Sequence, residues 1–215
     1  MKPRGDFSRG FGLTGLTKYI RPGYIPHNAE AILAFLTETL LANDKKEYAS
    51  EVVDDALRLT RSALPDEVLS VLWLAATRGY FDPQDDGFGI RAWLERIAEA
   101  CLPLTGQDRA IEPSAGDEDL RPDLQPAVLA ELDTVADTLS KEAVTAFGAP
   151  PLPTLVPALE AAVPVLGADL AFRLFLRAIK AYFVPISPTQ LAHIEEIGER
   201  LGYHEYVVHD DGLNT

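Results

Sequence analysis

The sequence predicts an all-α fold: about eight helices packed as antiparallel hairpins, with a glycine- and aromatic-rich N-terminal arm and a short extended C-terminal tail. Two observations carry this expectation. Apolar residues recur at three- and four-residue spacing through most of the body. Between these runs stand short segments rich in Pro, Gly, Asn and Asp, the residues that start and stop helices.

The first predicted helix, 28–41, sets Ile32, Leu33, Leu36, Leu40 and Leu41 at helical spacing, with Asn28 as N-cap and Glu30 in the first turn. Asn43 and Asp44 break it. The second, 45–63, places Tyr48, Ala49, Val52, Val53, Ala56, Leu57 and Thr60 on one face. Pro65 and Asp66 open a third, whose Val68, Leu69, Val71, Leu72, Leu74 and Ala75 are apolar almost all round, so it should be central. A loop at 79–89 precedes a fourth helix, 90–102, with Trp93, Leu94, Ile97, Ala98 and Cys101 facing inward. The fifth, 124–147, has the longest pattern and stops at Gly148, Pro150 and Pro151. A helix at 154–166 accepts Pro157 in its first turn, and Pro164 should kink or end it. Next comes 168–184, apolar except for Asp169, Arg173, Arg177 and Lys180. Ser187 and Gln190 form a capping box with Pro188 at the first helical position, opening a last helix closed by Gly202. Residues 203–209 read as a short strand or an extended tail.

This pattern divides the chain into an arm (1–27), a single helical domain (28–202) and a tail (203–215). The domain is expected in two halves, 28–102 and 123–202, joined by an exposed acidic Pro/Gly linker, 103–122. No repeat of 30–50 residues is evident.

The charge is uneven. The first 27 residues hold Lys2, Arg4, Arg9, Lys18 and Arg21 against Asp6, a net of +4, while the chain as a whole is at −14. The body is therefore strongly acidic. That disfavours nucleic acid as a partner, because phosphate contacts need a basic footprint. It favours attraction to a basic protein. Within the arm, Phe11, Leu13, Leu16, Tyr19, Ile20, Tyr24 and Ile25 are many apolar groups for a solvated tail. Residues 11–25 are expected to fold back on the body, with 1–10 looser. The single cysteine, Cys101, excludes an internal disulfide and suits a reducing compartment. No apolar signal segment opens the chain, and prolines and charges interrupt the apolar stretch at 149–172. The expectation is a soluble, cytoplasmic protein with no membrane span.

No motif points to chemistry. Asp82, Gln84, Asp86 and Gly87 match the start of an EF-hand loop, but its position 12 would be Trp93 in place of a bidentate carboxylate, so a turn is expected. His193 stands alone on a charged face. His204 and His209 are five apart, which aims their rings in different directions on a strand or a helix. Gly10-Phe-Gly12 and Gly87-Phe-Gly89 lack the third glycine of a dinucleotide fingerprint. No residue is assigned a catalytic, cofactor-binding or metal-ligating role, and no cofactor is expected.

Asp169, Arg173, Arg177 and Lys180 form one stripe on an otherwise apolar helix. Arg173, Arg177 and Lys180 could line a groove for an anion or an acidic partner, or pair internally with carboxylates, which an acidic chain favours. The functional expectation is a non-enzymatic acidic helical protein that binds a basic partner protein, of the immunity or antitoxin, adaptor or assembly-factor type. The competing expectation is a small-molecule-binding protein or enzyme with a pocket between helices, built on Trp73, Trp93 and Tyr182 with scattered arginines.

Overall fold

The computed structural model describes residues 12–23, 28–42, 46–106, 120–209 and 213. They form an all-α fold of nine helices, with no strands among the described residues. The helices are α1 (Gly12–Thr17), α2 (Ala29–Ala42), α3 (Lys46–Arg61), α4 (Asp66–Ala76), α5 (Ile90–Cys101), α6 (Gln125–Thr145), α7 (Leu155–Ala181), α8 (Pro188–Arg200) and α9 (Glu205–His209). Single 3-10 turns occupy Pro83–Asp86 and Leu102–Thr105.

Helix α7 is the axis. Every residue from Leu166 to Leu176 is buried, and α4 and α6 both pack on this helix. α3 and α5 form the other main pairing, and α1 lies across α3. Trp93, Phe172, Phe175 and Tyr182 are among the largest fully buried side chains. By length and composition α7 could cross a membrane, yet 72% of its most apolar window is buried inside the fold.

The predicted helices 154–166 and 168–184 are the two runs of α7 and meet at a break at Gly167, which Pro164 does not cause. Pro164 is exposed and sits within helical geometry, where a proline removes one hydrogen bond. Gly167 adopts φ 78° and ψ 165°, so the chain restarts as a second helical run. The carbonyl of Leu166, freed by this break, accepts a hydrogen bond from Arg58 Nη2 at 2.5 Å. A Cβ on Gly167 would lie 2.6 Å from the Leu120 Cα, so glycine here also admits the chain that leads into α6.

Three expectations change. The tail is not extended: Glu205–His209 is helical, and Val207 and Val208 are buried against α8. Five residues are too few to show a helical period, so only packing reveals it. In the arm, Gly12–Thr17 forms a helix with Leu13, Leu16 and Ile20 buried; glycines at 12 and 15 conceal it in the sequence. Phe11, Tyr24, Ile25 and residues 1–10 lie outside the described residues. Part of the expected exposed linker is packed, since Leu102–Thr105 contacts α3 and Thr105 is buried. Residues 107–119 lie outside the description.

The loop at 82–87 uses its acids for backbone reasons. Asp82 Oδ1 accepts from Gln84 N at 2.9 Å, and Gly87 ends the turn with φ 81°. Asp86 Oδ2 accepts from Ala29 N at the start of α2.

Gly167→Ala should lower the unfolding free energy by about 2–3 kcal/mol, combining left-handed backbone with overpacking. Gly148→Ala is the control. Its φ is 74°, but an added Cβ meets nothing within 4 Å. It should cost about 1 kcal/mol. Urea denaturation of both variants measures the difference, and equal losses would remove the role given to the Leu120 contact.

Candidate functional site

The positive stripe of α7 is turned inward. Arg173 is 3% exposed and grips Asp55 of α3 with both arms of its fork, Nη1 to Oδ2 at 2.5 Å and Nη2 to Oδ1 at 2.6 Å. Its Nη2 also donates to Asp169 Oδ2 at 3.1 Å, one helical turn earlier. Asp169 Oδ1 in turn accepts from the Tyr203 hydroxyl at 2.8 Å. Asp55 Oδ2 accepts the backbone N–H of Leu13 at 2.8 Å, which fastens α1 to the network. A Cβ on Gly12 would lie 2.1 Å from Asp55 Oδ2, so only glycine lets the chain pass this carboxylate. Burial pulls the Arg173 guanidinium down, but Asp55 and Asp169 outweigh it and hold the group well above its ordinary value.

The other two cations of the stripe act as helix caps. Arg177 Nε donates to Ala76 O at 2.7 Å, at the end of α4, and Lys180 Nζ donates to Val207 O at 3.1 Å, in α9. The expectation of an open anion or partner groove along Arg173, Arg177 and Lys180 is therefore corrected. In a chain with many more acids than bases, the buried cation is matched by carboxylates from elsewhere in the fold.

The aromatic candidates separate. Trp73 and Trp93 meet edge-to-face with centroids 5.7 Å apart, and Phe81 lies 5.0 Å from Trp93. Trp73 Nε1 donates to Phe81 O at 3.0 Å. Together they fill the core between α4 and α5. The space beside Trp73, lined by Leu13, Thr14, Leu59, Leu72 and Leu174, amounts to about 20 Å³, enough for one water. Tyr182 stands apart at the C-terminal end of α7, buried.

A groove of about 660 Å³ runs between α8 and α9, lined by Glu195, Glu199, Tyr203, His204, Val208 and His209. The two histidines share it, although their spacing predicts divergent rings; His204 precedes α9, and so the helical angle does not apply to it. His209 Nε2 lies 2.7 Å from Glu195 Oε1. No group of three or more His, Cys, Asp or Glu is placed to hold a metal among the described residues.

The outer surface has the opposite character to the interior. Among the described residues the exposed cations are Arg21, Lys46, Arg61, Arg96, Lys141 and Arg200, and exposed carboxylates outnumber them more than two to one. On α6, Leu129, Asp133, Asp137 and Val144 fall within about 80° of one another around the helix, and all four are exposed. Phe147 follows at the end of α6 and is 97% exposed. Helix α8 packs beside α6 through His193 Nδ1 to Glu131 Oε1 at 3.0 Å and Gln190 Nε2 to Thr134 Oγ1 at 3.1 Å. It adds exposed Glu196 and Glu199.

Comparison with protein-family models, curated proteins and solved structures finds no match to this chain.

Sequence reasoning missed Asp55, Tyr203 and Phe147. Asp55 sits among apolar positions of α3, flanked by Val52, Val53 and Ala56, and that placement is the one signal of a buried acid. Phe147 reads as the last apolar position of the α6 pattern, whereas the helix ends at Thr145 and releases it.

Arg173→Met should destabilise the fold by about 3–5 kcal/mol, because it strands two buried carboxylates. The triple change Asp55→Leu, Asp169→Leu, Arg173→Met should recover most of that loss. A triple variant as unstable as the single one would show that the cost is packing and not uncompensated charge.

Burial pushes the Cys101 thiol from 9.0 up to about 12. The folded state therefore favours the neutral thiol: its stabilising effect is full below about pH 9 and is lost as pH rises toward 12. The thiol should resist iodoacetamide at pH 8 in the folded protein and react fully in urea. Rapid labelling of the folded protein would contradict its burial.

Proposed function

We propose that the chain is a non-enzymatic, acidic helical protein that binds a basic partner protein through the outer faces of α6 and α8. One observation carries this reading: among the described residues, exposed carboxylates outnumber exposed arginines and lysines more than two to one. A surface of one sign steers an oppositely charged partner and raises the association rate. Leu129 and Val144 supply exposed apolar area along one side of α6 and Phe147 adds more just past its end, which charge alone does not give. A protein interface needs such anchors in its centre, with charges at the rim. An immunity or antitoxin, adaptor or assembly-factor role fits such a surface. The same surface suits a soluble, cytoplasmic protein.

Asp133→Lys combined with Asp137→Lys should slow association with the basic partner about tenfold at low salt, and the difference should fade at about 0.5 M salt. Phe147→Ala should instead raise the dissociation rate at every salt concentration. The measurement is surface plasmon resonance against the partner recovered from cell extract. A partner that is acidic, or whose binding ignores salt and all three positions, would overturn the reading.

A further inference from the structure

We infer that Arg78 and Tyr182 form a binding site for the oxyanion group, phosphate or carboxylate, of a small molecule. This inference is independent of the protein-partner reading, since it concerns one end of the bundle and not the side of α6 and α8.

Two buried polar groups at the ends of α4 and α7 lack a partner. The Tyr182 hydroxyl is buried, in a residue 2% exposed, and makes no hydrogen bond. Arg78 Nε is buried and makes none either. Arg78 forms no ion pair among the described residues, in a chain whose net charge is −14. The two residues are neighbours. The Arg78 guanidinium carbon lies 5.0 Å from the ring centroid of Phe183, the residue after Tyr182, and its charge acts on the Tyr182 phenol. Both orphaned groups are donors: burial pushes the Tyr182 hydroxyl up to about 12, so it keeps its proton. Two unsatisfied donors at the same end of the bundle call for an acceptor, and next to a guanidinium a negatively charged oxygen is the favoured one.

The backbone is set up for this at a cost. Helices α4 and α7 end in the same way as α8, with a hydrogen bond reaching back five residues: Gly79 N to Leu74 O, Val184 N to Ile179 O, and Tyr203 N to Gly198 O. In α8 the left-handed position is Gly202, at φ 75°. In the other two it is Arg78, at φ 54°, and Phe183, at φ 53°. Glycine is the relaxed choice at such a position, and bulky residues there are strained. The two strained side chains face each other, with guanidinium over ring. This fixes the guanidinium against the ring of the residue that follows Tyr182. Gly79 pins the turn from behind, since a Cβ there would lie 2.0 Å from Pro150 Cδ. Phe183 is 61% exposed, so an oxyanion carried on an apolar or aromatic body can lie along it.

Phenyl phosphate, benzoate and inorganic phosphate are the probes, titrated into the full chain and followed by nitrogen-15 NMR at the Arg78 Nε–H and by calorimetry. The expected result is saturable binding in the millimolar range or tighter, with phenyl phosphate ahead of inorganic phosphate. Tyr182→Phe keeps the ring and should weaken binding on the order of tenfold or more. Arg78→Gly relieves the strained backbone; it should abolish binding while leaving the melting temperature unchanged or raised. Absence of saturable binding, or binding as tight as wild type in either variant, would overturn the site. So would a fall in the melting temperature of Arg78→Gly without loss of binding, which would make Arg78 a helix-end cap.

Discussion

The Asp55–Arg173 pair is the constraint on which the rest of the structure depends. It joins residues 118 apart in the chain, both almost fully buried. Through Leu13 it holds α1, through Asp169 and Tyr203 it reaches the C-terminal segment, and Arg58 adds a second cation near Asp169 at 3.8 Å. Four separated stretches of sequence therefore converge on one charge cluster. A buried pair of this kind adds little net stability compared with an apolar replacement. Its effect is on arrangement. Only the register of α3 against α7 that seats a carboxylate on each side of Arg173 avoids leaving a charge uncompensated, and misplaced packings are penalised accordingly.

The same pair accounts for the character of the surface. Cations that an acidic chain could have used to screen its exterior are committed inside, Arg173 to carboxylates and Arg177 and Lys180 to helix ends. Arg58 caps the broken turn at Leu166, and Arg91 bonds the carbonyls of Thr60 and Leu64. The arginines thus act as staples for backbone oxygens freed at helix ends, and the outer charge is left one-sided. Self-repulsion among exposed carboxylates is tolerated because water and salt screen them, whereas an unsatisfied carbonyl in the interior is not screened at all.

Most helices were legible because their apolar faces repeat over three turns or more. The α6 pattern, for example, is separated by threes and fours from Val128 to Ala143, and these are the residues the fold buries. Helices α1 and α9 were not legible. Six and five residues give no period, and α1 exists because Asp55 accepts from its backbone and α3 covers Leu13 and Leu16. Composition identified Arg173 as a charge on an apolar helix, with internal pairing as the favoured outcome. It could not name Asp55, since nothing in sequence relates positions 55 and 173. The predicted bounds, 154–166 and 168–184, meet at the observed break, but Pro164 is not its cause. The decision belongs to Gly167, because the close approach of Leu120 is a tertiary fact. Arg78 was invisible for a related reason: its left-handed backbone is set by how α4 ends, and the residue type gives no hint of it.

The interior leaves little room for function. The Trp73, Trp93 and Phe81 cluster is closed, and the space beside it admits one water. A small molecule entering there would have to displace α1 and break the Leu13–Asp55 bond, which is tied to the pair that orders α3 against α7. The fold therefore resists opening at its centre. Chemistry has to be sought where helices end or where their outer faces carry more apolar or ionic character than solvation requires. The α6 face with Phe147 meets the second condition. The paired ends of α4 and α7 meet the first, since strain is retained at Arg78 and Phe183 where Gly202 shows the relaxed solution.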